Sequence, residues 1–285
     1  EVTMWSSLTE YHRPASIAQA LRLLARPAPR TVPLAGGAWL VATRDPTVEA
    51  VVDLGGLNLS FIQQRGRRLR LGAMTTLQTL IDHPQLSNLA GGLLAEAARQ
   101  LAPAALRHVA TLGGSLVAGR STSELALALL ALDAQVVIRA PDRRVISLEA
   151  FLANRVEHLP STGLIIELNL PLPPVNAAAN LVKISRTPRS RPIVNAAALV
   201  VRQGHVCTSA RLVLGGVAPY PIRLPAVAAM LSGRTPDEAL LANVAQYISA
   251  AITPTGDQLA SAEYRREMAG VVALRALGQA WEQIE

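Results

Sequence analysis

A single cysteine, Cys207, stands among the 285 residues. It excludes an internal disulfide and any all-cysteine metal or iron–sulfur site within this chain. Its setting in HVCTSARLVL reads as a hairpin strand with a packed, inert thiol. Aromatic residues make up only 3%, which leaves few surfaces on which bases could stack, so sequence-tolerant single-strand binding has little support. Charged residues are sparse at 16% against 50% hydrophobic, a balance that excludes a disordered chain. No apolar run is long enough for a membrane span. The start, EVTMWSSLTEYHRP, has neither a basic leader nor an apolar signal core. A soluble, cytoplasmic protein is expected, with periplasmic export alongside a signal-bearing partner left open.

Chemistry borne by side chains is equally thin. The histidines, His12, His83, His108, His158 and His205, include no pair at metal-ligand spacing on one helix and none in a nucleophile-elbow setting. A phosphate loop of the Walker type is absent. Any reaction is therefore expected to be carried by a bound organic cofactor.

What the chain does have is a basic excess of +7, from 27 Lys and Arg against 20 Asp and Glu. This attracts an anionic ligand or an acidic partner. Nucleic acid is the rival reading. The arginines are dispersed, however, apart from Arg65, Arg67, Arg68, Arg70 and Arg186, Arg189, Arg191, which read as solvated strand ends and loops.

The organising stretch is Thr111 to Asp133, TLGGSLVAGRSTSELALALLALD, a polar glycine-containing loop running into an apolar segment. Paired glycines allow a sharp turn and close approach of N–H groups to a ligand, which suits a diphosphate. An ordinary tight turn is the competing reading. Ser123 or Thr122 can cap a helix from about Glu124, apolar on nearly every side and so buried. Another such corner is Thr31–Leu34 followed by Ala35-Gly36-Gly37-Ala38-Trp39-Leu40: a strand, a paired-glycine turn and a helix start.

Elsewhere the pattern predicts helices over 16–24, 77–83, 88–101 and 149–152, and strands over 48–54, 69–72 and 163–170. A hairpin is predicted with strands at 135–139 and 144–147. Pro171, Pro173 and Pro174 mark a boundary. Strands at 181–185, 193–202 and 211–215 follow, the last two joined through Gln203-Gly204, and then helices over 225–231, 236–252 and 261–284. The fold class expected is α+β, the last part being one sheet covered by helices on a face.

These stretches resemble a known family. LAGGAWLV (34–41), VVDLGGL (51–57), LRLGAMTTLQTL (69–80), ATLGGSLVAGRSTSELALALLALDAQVVI (110–138) and LIIELNLPLP (164–173) carry the likeness. So do LVKISR (181–186), LVLGGVAPYPIR (212–223) and ASAEYRREMAGVVALRAL (260–277). Together they resemble the flavin-binding medium subunit of molybdenum hydroxylases, the group of carbon monoxide dehydrogenase, xanthine dehydrogenase and aldehyde oxidoreductases. The resemblance implies two N-terminal α/β subdomains of the PCMH-like type binding FAD, 1–57 and 58–174, and a C-terminal α+β domain, 175–285. It implies electron transfer from 2Fe–2S clusters on an iron–sulfur small subunit through FAD to an external acceptor, with the molybdenum cofactor on a large subunit. By position, Ala35, Gly36, Gly37, Ala38 and Leu40 would lie along the FAD diphosphate. Thr111, Gly113, Gly114 and Ser115 would form the second cradle, Ser123 and Glu124 would stand beside the flavin chain, Ile165 would pack on the cofactor, and Lys183 would reach it with its charge.

The sequence departs from the family pattern at Ala38-Trp39, where a polar pair is usual, at Ser115 for asparagine, at Glu124 for aspartate, and at Arg191. These departures define a second reading: a cofactor-free structural or assembly subunit of such a complex.

Overall fold

The computed structural model describes residues 7–284. Residues 1–6, part of the expected extended start, lie outside the described residues. The described residues form two compact units, between which the chain passes several times: 7–79, 103–118 and 135–170 build one, and 80–102, 119–134 and 171–284 the other.

In the first unit, β1 (Glu10–His12) leads to α1 (Ile17–Leu24), whose Ser16 side chain accepts from the Gln19 N–H. Ala20 and Leu24 bury one face of that helix. Then come β2 (Thr31–Leu34), α2 (Ala38–Thr43) and β3 (Ala50–Asp53). The three strands are parallel in the order β1-β3-β2, with α1 and α2 as crossovers. A hairpin of β4 (Ile62–Arg65) and β5 (Arg68–Gly72) follows; the pattern predicts only its second strand, because β4 exposes three of its four residues and lacks an apolar face. Within this hairpin region Arg70 is paired with Glu167 rather than simply solvated.

Within α3 (Leu77–Asp82) the chain enters the second unit, where α4 (Pro84–Asn88) and α5 (Leu93–Leu101) follow. The continuous helix expected over 88–101 is broken, since Ala90, Gly91 and Gly92 all have positive φ. Pro84, expected to end a helix, starts one, as its missing N–H permits. Returning to the first unit, the chain forms α6 (Ala104–Arg107) and α7 (Leu112–Ala118). It then supplies α8 (Glu124–Ala131) to the second unit, and every residue of that helix is buried.

Back in the first unit, β6 (Gln135–Ala140) and β7 (Asp142–Ser147) pair antiparallel as predicted. Beyond them lie α9 (Leu148–Ala153), α10 (Arg155–His158) and β8 (Leu164–Pro171). A five-stranded sheet has the order β4-β5-β8-β6-β7.

The remaining chain completes the second unit. Strands β9 (Ala177–Ile184), β10 (Val194–Gln203), β11 (Val206–Gly215) and the short β12 (Ile222–Arg223) form an antiparallel sheet, order β12-β11-β10-β9. Helices α11 (Pro225–Leu231), α12 (Glu238–Ala251) and α13 (Ala262–Glu282) follow, with Ser261 and Asp237 as side-chain caps of α13 and α12. Val194, Ala196, Ala198 and Val200 belong to a core shared with α11, α12 and α13.

The intervening residues of β10 are buried too, against α8. The sheet is thus covered on both faces, not one, and β10 reads as a continuous apolar run for that reason. Cys207 is buried on β11, and burial pushes its thiol up, so it is the inert packed thiol expected. Among the described residues no helix is long and apolar enough to cross a membrane.

Candidate functional site

The first paired-glycine turn is built by two different constraints. A Cβ on Gly36 would lie 1.5 Å from the Val109 carbonyl oxygen, so only glycine lets the turn meet the segment that follows α6. Gly37 has φ +74 and is the N-cap of α2, where an L side chain is strained. No side chain caps this helix. Among the described residues the N–H groups of Gly36, Gly37 and Ala38 donate to no protein acceptor. Nor does α2 bury any of its residues, AWLVAT, although nearly all are apolar.

The second paired-glycine segment is a helix, not the loop that its composition suggests. Gly113 and Gly114 lie in the first turn of α7. The start of α7 is stitched to the residues around the start of α3: Leu112 N–H donates to Thr75 O (2.8 Å), Gly113 N–H to Ala73 O (2.8 Å) and Leu77 N–H to Ala110 O (2.9 Å). Thr111 Oγ1 accepts from Gly114 N–H at 3.2 Å, and Thr111 O from Ser115 N–H at 2.9 Å. These amides are therefore already engaged. A Cβ on Gly113 would come within 2.9 Å of Ala73 Cβ, so its role is close packing.

Both segments wall one cavity of about 380 Å³ that lies wholly within the first unit. Of the residues singled out from the sequence, Ala35, Gly36, Gly37, Ala38, Leu40, Thr111, Gly113, Gly114, Ser115 and Ile165 line it. Trp39 is on its wall and 59% exposed. Much of the remaining wall is apolar, with Pro33, Leu54, Met74 and Leu164 among its residues.

Two polar lining residues escape sequence reasoning. Arg30 and Asp45 form an ion pair at 3.0 Å. Asp45 accepts from the Thr47 hydroxyl (2.6 Å) and N–H (3.0 Å), which hold its carboxyl below the usual range. The Asp-x-Thr spacing is a legible turn signal, but nothing local connects it to Arg30, which is fifteen residues earlier.

Ser123, Glu124 and Lys183 belong to the second unit. Ser123 caps α8 by accepting from Ala126 N–H, as expected. Glu124 is 4% exposed, and its carboxylate meets Lys183 Nζ on β9 at 3.3 Å. Burial pushes the carboxyl up, while its own backbone N–H and the Lys183 ammonium oppose the rise. The Lys183 charge thus has a partner inside the protein. The preceding loop is fixed by Asn195 Nδ2, which donates to Thr122 O at 3.0 Å. Among the described residues no three His, Cys, Asp or Glu side chains could hold a metal.

Comparison with known proteins divides the chain once, and the first match includes residues 80–102 and 119–134 of the second unit. The family described as "FAD binding domain in molybdopterin dehydrogenase" matches residues 6–173, and "CO dehydrogenase flavoprotein C-terminal domain" matches 182–280. The carbon monoxide dehydrogenase medium chain of Afipia carboxidovorans is 28% identical over 277 residues, covering 95% of this chain and 96% of the relative. The caffeine dehydrogenase subunit beta of a Pseudomonas species is 26% identical over 282 residues, covering 96% and 95%. A solved structure of carbon monoxide dehydrogenase from Hydrogenophaga pseudoflava superposes with a TM-score of 0.89 at 26% identity, covering 98% of this chain and 99% of that one.

Proposed function

The chain belongs to the family of FAD-binding medium subunits of molybdenum hydroxylases, an oxidoreductase component, and from that premise we propose that it is the electron-transfer subunit of its complex. The observation that carries the reading is the first paired-glycine turn, whose residues line a cavity and whose N–H groups donate to no acceptor among the described residues. These groups fit an anionic diphosphate.

Under this reading Gly36, Gly37 and Ala38 hold the FAD diphosphate by backbone N–H groups, with Ala35 and Leu40 beside it. Thr111, Gly113, Gly114 and Ser115 shape the adjoining wall, and Ile165 packs on the cofactor. The net charge of +7 favours the anion at longer range. Bound FAD supplies the ability to take electrons singly and release them as pairs. This chain's residues bind and orient it and exclude water. The electron donor is an iron–sulfur small subunit carrying 2Fe–2S clusters, and the molybdenum cofactor resides on a large subunit. A chain with one cysteine is consistent with clusters carried elsewhere.

A second reading, a cofactor-free structural subunit, draws on one observation: the amides of Gly113, Gly114 and Ser115 and the charge of Lys183 are all satisfied inside the protein. A visible absorption spectrum of the gently purified complex, with identification of any released cofactor, separates the two. A flavin spectrum that stays with this chain is expected. A colourless chain that cannot be loaded with FAD would select the structural subunit.

A further inference from the structure

Trp39 differs from the other described tryptophan in what it touches. Trp281 lies under the Arg202 guanidinium at 5.1 Å. Trp39, by contrast, is 59% exposed, sits on the first turn of a helix that buries nothing, and has no ring, cation or ring-nitrogen hydrogen-bond partner among the described residues. An indole left in water forgoes the large gain that burying an aromatic surface offers. Here it faces a cavity.

The cavity specifies what could cover the indole. Its polar side chains are few: Arg30 and Asp45, which already pair with each other, and the hydroxyls of Thr111 and Ser115. Backbone and aliphatic groups make up most of the rest. Trp39 stands two residues after Gly37, beside the open amides that suit an anion. A ligand with an anion and a planar ring a short distance apart satisfies both features.

We propose that the indole of Trp39 stacks on a planar heteroaromatic ring of the bound dinucleotide. This rests on the FAD reading above. The interaction is sequence-independent ring stacking of the kind that aromatic residues offer any base. Adenine and the flavin both present such a ring, and the halves of the cofactor tell them apart.

The test uses the full chain labelled with fluorotryptophan, stripped of cofactor and titrated with FAD, ADP and FMN. Fluorine NMR follows the resonance that Trp39→Phe removes. A shift with FAD is expected, together with a shift from ADP if the ring is adenine or from FMN if it is the flavin. Equilibrium dialysis should show Trp39→Ala weakening FAD binding about 10- to 100-fold, with Trp39→Phe recovering most of it. Should Trp39→Ala misfold, Trp39→Leu carries the same expectation, since it keeps apolar bulk without the ring. FAD binding that leaves the Trp39 resonance unmoved overturns the proposal. So does Trp39→Ala binding FAD as tightly as the wild type, or more tightly, the latter showing that the side chain obstructs the cavity. A wild-type chain that binds no FAD brings down the flavin reading itself, a result distinct from either.

Discussion

Gly36-Gly37 and Gly113-Gly114 line one cavity, the first pair just before a short apolar helix and the second inside one, and the two pairs do different work. At the first, one glycine permits backbone contact with Val109 and the next adopts φ +74, leaving amides that no group among the described residues uses. At the second, both glycines are helical and their N–H groups bond to Ala73 O and Thr111 Oγ1. The contrast continues along the chain. The helix after the first pair buries none of its residues, whereas α8, reached from the second, is wholly buried and carries a paired carboxylate. A glycine pair is therefore no guide to ligand contact; the partners of its amides are.

The strongest test of the first wall is Gly36→Val. The displaced atom is a backbone carbonyl 1.5 Å from the new Cβ, so the effect should exceed the usual overpacking range and reach about 4 kcal/mol by urea denaturation. A variant within about 1 kcal/mol of wild type would mean that the turn and the Val109 segment move apart freely, and the constraint argued for Gly36 would go.

The next effect probes the committed polar groups of the second region. Lys183→Met leaves the Glu124 carboxylate buried without its ion-pair partner, a loss of about 3 kcal/mol at neutral pH. The pH dependence has a definite sign. Because burial raises the Glu124 pKa above its unfolded value, the folded state holds the proton to higher pH. Stability from this group is present at low pH and is lost as pH rises through the raised value. The deficit of Lys183→Met should therefore be smallest in acid and grow with pH. A pH-independent deficit would show that Lys183 contributes packing alone.

Smaller still is Gly113→Ala. The added methyl meets Ala73 Cβ at 2.9 Å and Ala73 O at 3.1 Å, so about 1–2 kcal/mol is expected from overpacking, offset in part by helix propensity. An increase in melting temperature would place slack between α7 and the turn at Ala73.

Much of this organisation is legible locally. Ser16, Ser123 and Asp237 lie where hydroxyl and carboxyl caps should, and the hairpin expected through Gln203-Gly204 forms one residue later, at Gly204-His205, with its positive φ at Gly204. The motifs that carried the family resemblance also placed most of the residues that wall the cavity. What could not be read is whatever depends on distant partners. Glycine is a poor helix former, so α7 reads as a loop until Ala73 and Thr75 accept its first amides. The break at Ala90 to Gly92 hides inside an alanine-rich helical pattern. Arg30 meets Asp45, and Lys183 on β9 meets Glu124 at the start of α8, and neither pairing has a local signature.

Gly114→Ala gives the smallest effect and the sharpest reading of the contrast. Gly114 has no positive φ, so no backbone strain attaches to the substitution. Alanine gains about 1 kcal/mol of helix propensity. Against this, the methyl falls 2.9 Å from Thr111 Oγ1, which must rotate and release the Gly114 N–H, a loss of about 1 kcal/mol. The two terms offset, and stability should change by less than about 0.5 kcal/mol. If the second pair serves packing, FAD retention by this variant should also match wild type, measured as flavin per chain after gel filtration. Stability unchanged with flavin lost would mean that the Gly114 surface itself touches the cofactor. In that case both glycine pairs would be ligand contacts, and only the route by which each reaches the ligand would differ.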